Sequence, residues 1–449
     1  MKRDITAALA QVETGLGESL ERLSELIAIP SDAIDKTRHK DCEDAAKWLH
    51  QTFEKIGFEG GVKQTQGQPI VLMRRPSRAP SRRVLFYAHY DIQPEGPERE
   101  WSSPPFAMEV RNGAIYGRGA SDNKGQMMTV IEAIRILVAQ DAFDLDVTVL
   151  IEGEEEIGSP SLPAFLQAHP ELSDVDVIYV CDNSMWDVQT PAICTRLRGL
   201  VSDEVSVRVA AHDRHSGQFG GIAPNAAHLL IQALSSLHDA EGRIQVPGFY
   251  DDVVPPPAAE WSRWNALRFD PGPYEGLFAA SDQATLLRKL WSEPSLELGG
   301  LVSGHIDEGF KTIIPAMASA KIGIRLVEGQ DPDRIRHALR LWLKSQLPSA
   351  ADVDFTAYAT TPACVVEEGA PALSATRNAL DEEWPNPTAL IGGAGTIPVV
   401  GMFQDILGKA PLLVGFGLAD DGAHGPDEHY ALSSFVGGTR SWIRILSAL

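Results

Sequence analysis

The sequence is short of cysteine, of basic charge and of long apolar runs. Four cysteines in 449 residues (Cys42, Cys181, Cys194 and Cys364) stand apart, with no CxxC spacing. That argues against a disulfide framework or a cysteine zinc site and fits a reducing cytosol. Thirty-nine Lys and Arg against 61 Asp and Glu leave a formal net charge of −22. Such a surface repels phosphate backbones and anionic head groups, so neither nucleic acid nor membrane is an expected partner. No stretch reaches the roughly 18–20 apolar residues that a spanning helix needs. The leading MKRDITAALAQVETGLGESL is broken by Asp4, Gln11 and Glu13 and has no signal-peptide core. A soluble, cytoplasmic protein is expected. Also missing are a GxSxG elbow, a GxxxxGK(S/T) phosphate loop and an HExxH helix, which weakens serine-hydrolase, P-loop and zincin readings.

What is present is ordinary globular composition, 44% hydrophobic and 22% charged, in a chain too long for one compact core. Leu16, Leu20, Leu23, Leu26 and Ile27 recur at helical spacing, and Asp44–Ile56 continues helically up to Gly57. Short apolar runs at Ile70–Met73, Val84–Ala88, Val147–Ile151 and Val175–Val180 read as buried strands, with a helix at Gly125–Val138 between them. This alternation predicts an α/β catalytic domain, a mixed sheet with helices on both faces.

The middle of the chain reads differently. Strands at Glu204–Ala210, Lys311–Ile314, Ala320–Val327 and Val353–Tyr358, with helices at Asn225–Leu237 and Pro332–Leu347, give β-α-β-β-α-β, a ferredoxin-like α+β order. The Pro- and Trp-rich Val246–Pro273 interrupts it. The expected division is a discontinuous first domain, 1–198 and 366–449, with 199–365 inserted into it.

Five motifs carry chemistry. LFYAHYD places His89 and Asp91 after a buried run, on one face of the chain. GRGASDNKG brings in Asp122 just before a helix; its glycines do not complete GxGxxG, so a dinucleotide site is unsupported. IEGEEEIGSP puts four glutamates in five residues at a strand end, costly if all are charged without a cation. YVCDNS supplies Asp182 after a third apolar run, and ADDGAHGPDEH supplies His424 between glycines. Taken singly, each has a bland alternative: a core histidine, an N-cap, a solvated acidic loop, a turn aspartate. Together His89, Asp122, Glu156, Asp182 and His424 make a two-His, three-carboxylate set suited to two divalent ions with one bridging carboxylate. Imidazole with carboxylate suits zinc, and carboxylate-rich sites also take manganese or cobalt.

In this order the motifs resemble the co-catalytic dinuclear metallopeptidase superfamily of aminoacylase-1, carboxypeptidase G and succinyl-diaminopimelate desuccinylase. GRGASDNKG, EGEEEIGS, DRHSGQFGG and ADDGAH are most similar to its cytosolic non-specific dipeptidase (carnosinase-like) branch. The resemblance implies that His89 and Asp182 bind one metal, Glu156 and His424 the other, and that Asp122 bridges, with Asp91 behind His89. It implies Glu155 as general base toward a metal-activated water, and leaves Glu152 and Glu154 outside the catalytic pair. It implies that 199–365 is a lid and dimerisation domain whose His215 stabilises the oxyanion across a homodimer interface. By the residues alone, His215 is a loop histidine and Arg325 a surface arginine. By resemblance Arg325 binds the substrate carboxylate, Thr396 of GGAGTIP lies near the substrate backbone, and the Asp122–Asn123 peptide is cis. The implied activity is hydrolysis of dipeptides or short peptides with a free carboxylate, N-acyl-amino-acid deacylation by the same site being the alternative. Relatives of the carnosinase type carry a substrate-contacting histidine near 358–364; YATTPAC has none, which argues against carnosine-type substrates.

Overall fold

The structure is a computed structural model and describes residues 4–77, 82–141, 143–268 and 283–449. Residues 269–273, the end of the expected insertion, lie outside the described residues. The chain packs into two compact units. One comprises the residues up to Thr195 with Val366–Ile391 and Pro398–Leu449; the other is Arg196–Val365 with Gly392–Ile397. Relative to the sequence division, residues 196–198 and 392–397 go to the second unit. The Gly392–Ile397 segment is held there by Arg198, whose Nε and Nη2 both donate to the Ala394 carbonyl. At Gly392 a side chain would collide with Trp291.

The first unit is built on a mixed sheet. Its strands run in the order Glu59–Lys63, Ile70–Arg75, Asp146–Glu152, Arg83–His89, Val177–Val180, Leu412–Val414 and Ala192–Leu197. The four in the middle, from Asp146–Glu152 to Leu412–Val414, are parallel. Every residue of Val84–His89 and of Val177–Val180 is buried. Because successive strand residues point to opposite sides, both faces of the sheet are covered, which is why these segments read as unbroken apolar runs. The helix Lys124–Ala139 is buried almost all round, packed between the sheet and the helices Leu16–Ile27 and Leu432–Ala448. Trp442 of the last helix meets Phe86 and Tyr179 edge-on at 5.3 and 5.4 Å, a buried aromatic cluster in which each side chain contributes about 1.5–3 kcal/mol. The parallel strands all end on one edge of the sheet, where open α/β sheets bind ligands.

The second unit holds a four-stranded antiparallel sheet in the order Ser295–Ser303, Met317–Leu326, Gly199–Arg208, Asp352–Thr361. With helices Ala226–Ser235 and Pro332–Ser345 the chain order is β-α-β-β-α-β. One expected strand is corrected. The second strand is Ser295–Ser303, not Lys311–Ile314; Ile313–Ile314 instead pairs with Arg214–His215 in a separate two-stranded ribbon. The SLELGGLVS edge strand hid its period because a bulge at Leu298–Gly300 shifts its register. Leu298, Leu301 and Val302 are also half exposed, so the usual inward–outward alternation is lost. Among the described residues no helix is long and apolar enough to cross a membrane.

Candidate dinuclear metal centre

Five segments of the first unit converge at the carboxyl edge of its sheet. His89 is the last residue of its strand, Glu155 and Glu156 follow Asp146–Glu152, and Asp182 follows Val177–Val180. Asp122 precedes the helix Lys124–Ala139, and His424 lies in the loop after Leu412–Val414. The Asp122–Asn123 peptide is cis.

The ligand atoms form two triads that share Asp122. In one, His89 Nε2 lies 3.1 Å from Asp122 Oδ1 and 3.6 Å from Asp182 Oδ2. In the other, His424 Nε2 lies 3.0 Å from Asp122 Oδ2 and 3.4 Å from Glu156 Oε2. Asp122 thus turns one oxygen to each imidazole. Within each triad every donor atom is within 4.8 Å of the others.

Asp91 is fully buried behind this layer. Its Oδ1 is 3.4 Å from His89 Nδ1, which also faces the Asp91 carbonyl at 3.1 Å. Its two oxygens accept the Glu155 and Glu156 N–H groups at 3.2 and 3.0 Å. Asp91 therefore ties the His89 strand to the glutamate loop as well as orienting the imidazole. Glu152 and Glu154 point elsewhere. Glu152 accepts from the Tyr87 and Ser159 hydroxyls at 2.6 and 2.8 Å, and Glu154 accepts the Gln68 and Ser161 N–H groups.

The electrostatics carry the mark of a cation-binding cluster. Burial disfavours a charged His89, yet the carboxylates of Asp122, Asp182 and Asp91 outweigh it and hold its pKa well above the ordinary value. Hydrogen bonds to Asp122 and Glu156 raise His424 to about 10. Burial pushes Glu155 up to about 8, with the charges of Asp182, Asp91 and Glu156 adding to it. Burial and the Asp122 charge push Asp182 upward as well, and burial takes Glu152 up to about 7. Without cations the surrounding carboxylates favour protons on the two imidazoles. A divalent ion takes the place of those protons, since ligands must be deprotonated to bind. Glu156 Oε1 is buried and has no hydrogen-bond partner, an acceptor left over for a cation. The residues present fit two divalent ions.

Three contributors were not singled out from the sequence. Gln93 Nε2 donates to Glu156 Oε2 at 2.9 Å; it lies two residues beyond Asp91, and that spacing was the available signal. Arg118 and Glu428 form a buried pair at 2.7 Å under the loops of Asp122 and His424.

Of the remaining predicted residues, all in the second unit, Arg325 and Thr396 meet and His215 stands apart from them. Arg325 Nη1 donates to Thr396 Oγ1 at 2.8 Å, and that hydroxyl donates to the Arg198 carbonyl at 2.6 Å. Arg325 lies between buried Ile324 and Leu326 on its strand and is itself partly exposed. His215 is exposed at the start of the short helix Ser216–Phe219, where its Nδ1 accepts the Gly217 N–H at 3.0 Å.

Two ligand triads sharing a carboxylate at the carboxyl edge of a mixed sheet define a protein of the dinuclear metallohydrolase kind. The chain belongs to the peptidase family M20/M25/M40, which matches residues 85–448. Members of this family use two divalent metal ions. The chain is similar to the Beta-Ala-His dipeptidase of Homo sapiens, 30% identical over 94% of this chain and 88% of that one. It is also similar to the Cys-Gly metallodipeptidase DUG1 of Saccharomyces cerevisiae, 27% identical over 98% and 97%. Among solved structures, the M20 family metallo-carboxypeptidase Sso-CP2 from Sulfolobus solfataricus superposes with a TM-score of 0.85 at 27% identity, over 96% of this chain and all of that one.

Proposed function

We propose that this chain is a metal-dependent hydrolase that cleaves the amide bond of dipeptides or short peptides bearing a free carboxylate. The observation that carries the reading is the pair of triads sharing Asp122, with Glu155 beside them. His89 and Asp182 would hold one ion and Glu156 and His424 the other, with Asp122 shared between the two sets. Zinc best suits this set, with manganese or cobalt as alternatives. Two such ions supply Lewis acidity and bring the pKa of a water toward about 7.

The chain's own residues do the rest. Glu155 takes the proton from water and returns it to the leaving amine; its buried, acid-rich surroundings make it hold that proton more firmly than an ordinary carboxylate does. Asp91 fixes the His89 ring and the backbone of Glu155 and Glu156. His215 is suited to oxyanion stabilisation, because the Gly217 N–H bond to Nδ1 leaves the ring proton at Nε2 as a donor. Arg325, steadied by Thr396, offers the substrate carboxylate a planar guanidinium. In this reading the second unit is a lid and dimerisation domain, and His215 acts in the site of the partner of a homodimer.

The test is a hydrolysis panel on metal-loaded protein: unmodified dipeptides against N-acetyl- and N-succinyl-amino acids. Cleavage of the dipeptides supports the proposal. Preference for the acylated compounds overturns it in favour of a deacylase.

A further inference from the structure

Arg118 and Glu428 are buried opposite charges that the proposed reaction does not use. Both oxygens of Glu428 are doubly engaged. Oε2 accepts from Arg118 Nη1 at 2.7 Å and from the Gly119 N–H at 2.9 Å; Oε1 accepts from the Ser121 and Asp122 N–H groups at 2.9 and 3.0 Å. The loop that presents Asp122 is therefore wrapped around one carboxylate, and the last of its donors is the backbone of the bridging residue itself. The other arm of Arg118, Nη2, donates to the His424 carbonyl at 3.2 Å and to the Pro94 carbonyl at 3.1 Å. The bond falls on a residue in an uncommon conformation: His424 has φ of +64°, in the left-handed region that few non-glycine residues occupy. One ion pair thus joins the loop beyond His89, the loop of Asp122 and the loop of His424.

We infer that Arg118 and Glu428 are a positioning pair that sets Asp122 and His424 at ligand geometry, tuning ion affinity from outside the coordination shell. The inference rests on the dinuclear reading of the site. A buried ion pair is by itself weak evidence of stabilisation, since an apolar pair of similar volume often does as well. Here, however, the hydrogen bonds end on the backbone of two ligand residues, which is the arrangement by which outer partners fix metal ligands.

The test uses the full chain, stripped of metal by a chelator and titrated with Co²⁺ alone. Calorimetry and visible absorption follow each ion in the wild type, Glu428→Gln, Arg118→Lys and the double variant Arg118→Met/Glu428→Met. Glu428→Gln turns an amide donor toward N–H donors and is expected to weaken ion binding about 10- to 100-fold with unchanged circular dichroism. Arg118→Lys keeps the charge but has no fork to reach the His424 carbonyl. It should weaken the ion of Asp122, Glu156 and His424 by about tenfold and leave the other step in place, a split that general loosening of the fold does not produce. The double variant leaves no orphaned buried charge, so it carries the test if a single variant fails to fold. Folded variants with both affinities unchanged overturn the inference. A wild type that takes up fewer than two ions instead overturns the dinuclear reading, so the two failures are distinguishable.

Discussion

Replacing Asp91 by asparagine probes how the glutamate loop is held. The carboxylate accepts the Glu155 and Glu156 N–H groups, one on each oxygen, and lies 3.4 Å from His89 Nδ1. It is fully buried, so water cannot replace a lost acceptor. An asparagine keeps the shape but converts one oxygen into an NH₂ group that faces an N–H. One buried backbone donor is then left unsatisfied, at a cost of about 1–3 kcal/mol. The loop's least constrained response is to swing Glu155 and Glu156 away, which moves a ligand and the general base together. The expected result is a loss of about 10- to 100-fold in ion affinity, with a fall in kcat that persists at saturating metal. Metal titration by calorimetry and steady-state kinetics at saturating ion measure the two effects. An Asp91→Asn protein with wild-type ion affinity and wild-type kcat would refute the argument that this carboxylate organises the site.

Other outcomes follow from single contacts. Glu155→Gln should lower kcat by about 10²–10⁴-fold while leaving two ions bound, read by turnover assays beside metal analysis. Arg325→Met should raise KM for free dipeptides and erase the preference for them over their carboxyl-terminal amides. His215→Ala and Glu155→Gln should each be nearly inactive alone; if His215 acts in the partner's site, mixing and reassociating them should restore about a quarter of wild-type activity. No recovery on mixing places His215 in its own protomer's site. In the metal-free protein Glu152 has its pKa raised from 4.5 to about 7 by burial. The folded chain then binds a proton that the unfolded chain releases, so this stability is present below about pH 4.5 and lost as pH rises through about 7. The full amount is at most about 3 kcal/mol. Urea titrations across that range should show a shallower fall in stability in Glu152→Gln than in wild type; an identical slope in the two would refute the assignment.

The site was legible where chemistry follows a buried strand. His89, Glu155, Glu156 and Asp182 each stand at or within a few residues of the end of an apolar run, and a parallel strand order brings those ends to one edge whatever the sequence distance between them. Asp122 and His424 have weaker local signals, and it was their motif order that drew them in. Arg118 and Glu428 were not legible, because they meet across 310 positions: one sits in a glycine-rich turn, the other in an acidic stretch that reads as solvated surface. The second unit was read correctly in element order but wrongly at one strand. Ser295–Ser303 is a bulged edge strand whose apolar residues stay exposed, so hydrophobic alternation had little to report. The packing of 392–397 with the second unit depends on Arg198 gripping a carbonyl, a contact no periodicity encodes.

The most direct test of the two-ion account is a stoichiometric one. Chelated protein is titrated with Zn²⁺, and in parallel with Mn²⁺, while hydrolysis of an unmodified dipeptide is followed. The account predicts no turnover without metal and activity that rises to a plateau at two ions per chain. Turnover undiminished in the chelated protein, or none at any metal loading, would contradict it.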